Sequence, residues 1–113
     1  MNELTLIIPA KEESNSLPKI LEEVKNLELK KLIVLAENDY ETINSIKDKD
    51  CEILFQTGKG YGNAIREGIL KSKTEYIAIF YADGSTDPKD LVPMLNKIKN
   101  SDNQIIFGSR YEK

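Results

Sequence analysis

Asp83 stands in the run Tyr81-Ala82-Asp83-Gly84-Ser85-Thr86-Asp87-Pro88, directly after an apolar stretch and before a glycine. A carboxylate on such a turn can hold a divalent ion that bridges diphosphate oxygens, because these ions often use one or two protein carboxylates and leave the other positions to phosphate and water. A simple aspartate–glycine turn accounts for the same residues. Asp87 before Pro88 reads as a helix cap followed by a first-turn proline. A second chemistry-bearing run is Gln56-Thr57-Gly58-Lys59-Gly60-Tyr61-Gly62-Asn63-Ala64. Its glycines permit tight turns and close backbone approach, the amides of a following helix favour anions, and Lys59 adds positive charge. It is not a Walker loop, because the required spacing and hydroxyl residue are missing. Arg66, one turn further on, is open to two readings, facing the same pocket or facing solvent.

Three more loops carry polar groups. Pro9-Ala10-Lys11-Glu12-Glu13-Ser14-Asn15 contains no Gly-x-Gly-x-x-Gly, so the dinucleotide fingerprint is absent there. Its carboxylates suit the positive end of a following helix. Glu37-Asn38-Asp39 is an acidic cluster that could accept hydrogen bonds from a base edge or a ribose, and Asp39 could equally cap the next helix. Arg110, in Gly108-Ser109-Arg110-Tyr111, could clamp a phosphate, since a guanidinium matches phosphate geometry, or could be a solvated residue. With no histidine in the chain, imidazole catalysis and histidine metal sites are excluded, and acid–base or metal chemistry falls to carboxylates.

The elements that must position these loops are legible as five short apolar runs: Leu4–Ile8, Leu32–Ala36, Cys51–Phe55, Tyr76–Phe80 and Gln104–Phe107. The first, second and fourth are nearly continuous, as strands covered on both faces are. Between them lie helical stripes. Leu17, Ile20, Leu21, Val24 and Leu27 form one; Tyr61, Ala64, Ile65, Gly68 and Ile69 form another; Leu91, Leu95 and Ile98 mark a third between Asp87 and Asn100. From about Glu41 to Lys47 only Ile43 and Ile46 recur, which predicts a short or weak helix. Strict alternation of strand and helix implies an α/β fold, a doubly wound, mainly parallel sheet with helices on both faces and right-handed crossovers. Ligands bind such sheets beyond the carboxyl ends of the strands, where all five loops would sit.

The length of 113 residues predicts one domain over residues 1–113. A net charge of -3 supplies no basic footprint, which argues against a nucleic-acid partner. Cys51 is the single cysteine, expected on a buried strand, and a reducing, cytoplasmic setting is the default. The apolar run after Met1-Asn2-Glu3 is too short for a signal peptide or a membrane span.

Taken in order, Leu6-Ile7-Ile8-Pro9-Ala10-Lys11-Glu12-Glu13, Gly58-Lys59-Gly60-Tyr61-Gly62-Asn63-Ala64-Ile65-Arg66-Glu67-Gly68, Ala82-Asp83-Gly84-Ser85-Thr86-Asp87-Pro88 and Gly108-Ser109-Arg110 resemble family-two glycosyltransferases, nearest the polyprenyl- or dolichyl-phosphate sugar synthase branch. The resemblance runs from Leu4 to Tyr111. It implies a nucleotide-diphospho-sugar transferase fold whose donor-binding half this chain represents. By matched position, Pro9, Ala10 and Glu13 would line the base and ribose pocket, with Glu37 near the family's acidic position after the second strand. Lys59 and Arg66 would face the nucleotide, Asp83 would match the last aspartate of the Asp-x-Asp metal motif, and Arg110 would lie on the phosphate and acceptor side. The implied ligands are a UDP- or GDP-sugar donor, a divalent cation (Mg or Mn), and a polyprenyl phosphate or saccharide acceptor, with a location peripheral to the membrane in a full-length context.

Two departures stand out. Tyr81 replaces the first aspartate of the metal motif, and a phenol with a pKa of about 10 is a poor substitute at neutral pH. Glu37-Asn38-Asp39-Tyr40 replaces an Asp-Asp-Gly-Ser-type loop. The family's acceptor half and its base follow the matched region, so no catalytic residue is assigned and the chain is expected to be incomplete as a catalyst by itself. The competing reading is a non-catalytic nucleotide- or nucleotide-sugar-binding module. A receiver-like signalling domain has similar alternation, but Gln56-Thr57-Gly58 stands where its phospho-accepting aspartate would be. An unfinished sheet edge would invite self-association.

Overall fold

The computed structural model describes residues 4–26, 29–74, 76–82, 93 and 105–107. The elements follow one another as β1 (Leu4–Pro9), α1 (Leu17–Glu23), β2 (Lys30–Leu35), α2 (Tyr40–Ser45), β3 (Glu52–Phe55), α3 (Gly60–Lys71), β4 (Tyr76–Ile79) and β5 (Ile105–Phe107). The strands form one sheet in the order β3-β2-β1-β4-β5. All four pairings are parallel, with registers such as Ile7 opposite Leu32 and Ile7 opposite Ile79. The expected doubly wound α/β architecture is what the chain adopts. The predicted helix between Asp87 and Asn100 lies outside the described residues, apart from Pro93, which is helical.

Side chains leave alternate faces of a strand, and here that period divides the core in two. Leu4, Leu6 and Ile8 of β1, Ile33 and Leu35 of β2, and Ala78 and Phe80 at β4 pack with Leu17, Ile20, Leu21 and Val24 of the α1 region and with Ile46 after α2. Ile7, Leu32, Val34, Ile79 and Tyr81 face the other way and meet Tyr61, Ala64, Ile65 and Ile69 of α3. Covering both faces explains the unbroken apolar runs of β1 and β2, which are buried along their whole length except at Lys30. β3 is an edge strand and is only partly buried.

The helices differ in how firmly they are seated. α3 packs against β1 and β2, and at Gly68 the backbone comes so close that an added Cβ would lie 2.8 Å from Ile7 Cγ2. α2 is six residues long, as the sparse Ile43 and Ile46 pattern predicts. α1 ends at Glu23, before the last position of its predicted stripe, and its first turn holds Pro18 but no acidic residue. Cys51 sits just ahead of β3 and is half-buried, not enclosed as the sequence suggested, because β3 has a neighbour on one side only. Partial burial still pushes its thiol pKa upward, reinforced by Asp50 and partly offset by Lys31.

Candidate functional site

The carboxyl ends of β1, β2 and β3 open into a groove of about 650 Å³, walled on one side by the start of α3. Ala10, Lys11 and Glu12 come from the loop after β1, Ala36, Asn38 and Asp39 from the loop after β2, and Gln56, Gly58 and Lys59 from the loop after β3. Gly60, Tyr61 and Ala64 of α3 complete the lining. Strand pairing aims these loops together: the Ala10 N–H donates to the Val34 carbonyl at 3.0 Å, and the Gln56 N–H to the Leu35 carbonyl at 2.7 Å.

Hydrogen bonds between loops hold the walls. The Glu12 N–H donates to Asp39 Oδ2 at 2.8 Å, and the next amide, Glu13 N–H, donates to Thr42 Oγ1 at 3.0 Å. Thr42 is fully buried, so this second bond is anchored in the core. Glu12 has a φ of 54°, in the left-handed region that costs a non-glycine residue about 1–2 kcal/mol. The Asp39 carboxylate on its amide offsets that cost and keeps Lys11 and Glu12 at the groove.

The glycine-rich loop is pinned from within. Gln56 Nε2 donates to the Gly60 carbonyl at 2.8 Å and to Asn63 Oδ1 at 2.9 Å. The Thr57 N–H donates to Glu67 Oε1 at 3.0 Å, and the Thr57 hydroxyl donates to Glu67 Oε2. The hydroxyl bond is the main reason the Glu67 carboxyl is held below its usual pKa, followed by the Thr57 amide. Gly60 has a φ of 86°, a conformation that glycine adopts without strain, and the space around it is open. Lys59, at the N-cap, makes no side-chain cap to the first turn of α3.

The structure brings some of the residues singled out by sequence together and leaves others apart. Ala10 and Lys59 line the groove. Pro9 closes β1 in the buried layer, and Glu13 is placed by its amide bond to Thr42, outside the lining. Glu37 is exposed and outside the lining, while its neighbours Asn38 and Asp39 are in it. A tight turn, with the Asp39 N–H donating to the Ala36 carbonyl at 3.1 Å, puts Glu37 at the turn's centre. Asp39 provides no side-chain cap to α2, its carboxylate being directed to Glu12 instead. Arg66 is exposed on α3 and does not line the groove. Asp83 and Arg110 lie outside the described residues. Lys11, Asn38, Asp39, Gln56 and Tyr61 join the lining; all five stand in the loop runs singled out by sequence, but Asp39's bond to the Glu12 amide rests on a partner 27 residues away.

Position 81 is the described member of the expected cation motif, Asp83 lying outside the described residues. Tyr81 is 6% exposed, and the alternation of β4 turns it toward α3, where its ring meets that of Tyr61 edge-to-face at 5.4 Å between centroids. Among the described residues no three Asp, Glu or Cys side chains gather as a metal-binding group. A phenol committed to the core does not fit the role of first cation-holding carboxylate.

Comparison with known proteins accords with this geometry. The model for glycosyl transferase family 2 matches residues 5–113. An uncharacterized glycosyltransferase of Mycobacterium tuberculosis is 27% identical over 108 residues, covering 95% of this chain and 48% of that protein. A low-salt glycan biosynthesis hexosyltransferase of Haloferax volcanii is 26% identical over 114 residues, covering 96% of this chain and 28% of its own length. A dolichyl-phosphate beta-glucosyltransferase of Dictyostelium discoideum is 27% identical over 129 residues, covering 95% and 39%. The chain thus spans about half the length, or less, of these curated relatives. With a family match over nearly all its residues and a parallel sheet whose strand-end loops meet in one groove, the chain belongs to glycosyl transferase family 2.

Proposed function

We propose that this chain forms the donor side of a glycosyltransferase and binds a nucleoside-diphosphate sugar, UDP- or GDP-linked, in the groove over β1, β2 and β3. The observation that carries the reading is the convergence of three strand-end loops and the uncapped start of α3 on a single groove of about 650 Å³. A volume of this order suits a ligand of nucleotide size. Asn38 and Asp39 offer amide and carboxylate groups suited to a base edge or ribose hydroxyls. Tyr61 supplies an aromatic wall, and Lys11 and Lys59 supply positive charge for the diphosphate.

In the transfer reaction an acceptor oxygen attacks the anomeric carbon of the sugar, and the nucleoside diphosphate leaves with the bonding electrons. The part played by the groove is to hold the leaving group and to stabilise the negative charge that grows on it. Saccharides and polyprenyl phosphates are the acceptor classes proposed, the second in keeping with the name of the Dictyostelium relative. No helix among the described residues is long and apolar enough to cross a membrane.

Calorimetric titration with UDP, GDP and their sugars tests the reading. Saturable binding of one of the two nucleotides is expected, weakened at least tenfold by Asp39→Ala. Absence of heat and of thermal stabilisation with every one of these ligands, with and without manganese, would remove donor binding from this chain.

A further inference from the structure

We infer that Glu67 is a positioning residue for donor binding, its carboxylate holding the loop of residues 56–60 in the shape that receives the nucleotide. This rests on the donor-binding reading above, and its test separates the two.

The loop gives Gln56, Gly58, Lys59 and Gly60 to the lining of the groove. Two of these are glycines, and Gly60, with a φ of 86°, has open space around it. A segment of this kind samples many conformations unless something ties it, and a ligand that binds it must then supply the cost of ordering.

The ties come from α3. Thr57, which does not line the groove, donates its N–H to Glu67 Oε1 at 3.0 Å and its hydroxyl to Glu67 Oε2. Asn63 stands one turn before Glu67 on the same face of the helix. Its Oδ1 accepts from Gln56 Nε2 at 2.9 Å, and a Cβ added at Gly58 would lie 2.6 Å from its Nδ2. Residues 56, 57 and 58 are thus each seated on one of two side chains. After Thr57, the Asn63 side chain and the Gly58 amide also help to hold the Glu67 carboxyl below its usual pKa. The loop therefore grips the charged form.

The helix that carries these seats is itself closely fitted to the sheet. At Gly68, next to Glu67, an added Cβ would lie 2.8 Å from Ile7 Cγ2. Glu67 so ties a glycine-rich loop to a part of α3 that is fixed against β1. Of the two seats it is the charged one, and hydrogen bonds to a charged acceptor are the stronger. Lys59 and the glycines are ordered before the ligand arrives, which is how preorganisation raises affinity.

The test is calorimetry of UDP and GDP with the full chain and with E67A, E67Q, T57V and the double variant T57V/E67A, joined to NMR relaxation of each. For the nucleotide that the parent binds, E67A should weaken binding roughly tenfold and T57V roughly threefold, with the double variant no weaker than E67A, because both changes remove one shared contact. E67Q keeps one acceptor oxygen and should fall between the parent and E67A. In free E67A the order parameters of the Gly58 and Lys59 amides should drop, and bound nucleotide should restore them; a general loss of stability would not be confined to those amides. Thr57 is exposed, so T57V carries the test alone if circular dichroism shows E67A unfolded. Parent-like affinity in E67A or T57V, losses that multiply in the double variant, or unchanged order parameters at Gly58 and Lys59 would each overturn the inference while leaving donor binding intact. A parent that binds neither nucleotide would overturn both.

Discussion

Aspartate at position 81 would restore the acidic pair suggested by the family resemblance, yet the side chain there is 6% exposed and surrounded by Ile7, Leu32, Val34 and Ile79. Tyr81→Asp therefore loses the ring contact with Tyr61 and puts a carboxylate among apolar groups. We expect a loss of roughly 3–5 kcal/mol, the range for removing a large buried aromatic, measured by urea unfolding; Tyr81→Phe should lose far less. Glu67 gives a pH-dependent counterpart. Its pKa is lowered in the folded chain by the Thr57 hydroxyl and amide. The bond is thus fully present above the ordinary carboxylate range and fades as pH falls through the lowered value. The Thr57 amide resonance, followed by NMR from pH 7 downward, should hold its position until below the ordinary carboxylate range and then move. In Glu67→Gln that step should be absent and the amide should exchange with solvent faster throughout.

At the scale of elements, much of the fold was readable from sequence. Continuous apolar runs mark β1 and β2 as covered on both faces, and the sparse apolar spacing around Ile43 predicts the six-residue α2. The facing of Tyr81 also follows from period-two alternation, since Ile77 and Ile79 share its side. What escaped was set by contacts distant in sequence. Nothing local says that Asp39 will leave α2 uncapped to hold Glu12, or that the turn from Ala36 to Asp39 will carry Glu37 away from the groove. Gly68 is similar: its stripe position was visible, but its closeness to Ile7 was not. Because β-branched Ile7 is stiff and buried, Gly68→Val should cost at least about 2 kcal/mol in urea unfolding despite valine's better helix propensity. A stability equal to the parent would mean that α3 can ride higher on the sheet.

For the molecule as a whole, family membership and groove geometry agree, and each covers what the other lacks. The family match extends over residues 5–113, whereas the geometry identifies which polar groups meet. The groove belongs to the three strands on one side of the sheet, β3, β2 and β1, and β4 joins on the far side of β1. In chain order every described lining residue lies between Ala10 and Ala64, ahead of β4. During synthesis, then, the described lining leaves the ribosome while one flank of β1 still has exposed backbone donors and acceptors. That flank is closed only when residues from Tyr76 onward arrive and zip alongside Leu4 through Ile7. The nascent chain is consequently most open to mispairing in this interval, at a strand that is later buried along its whole length.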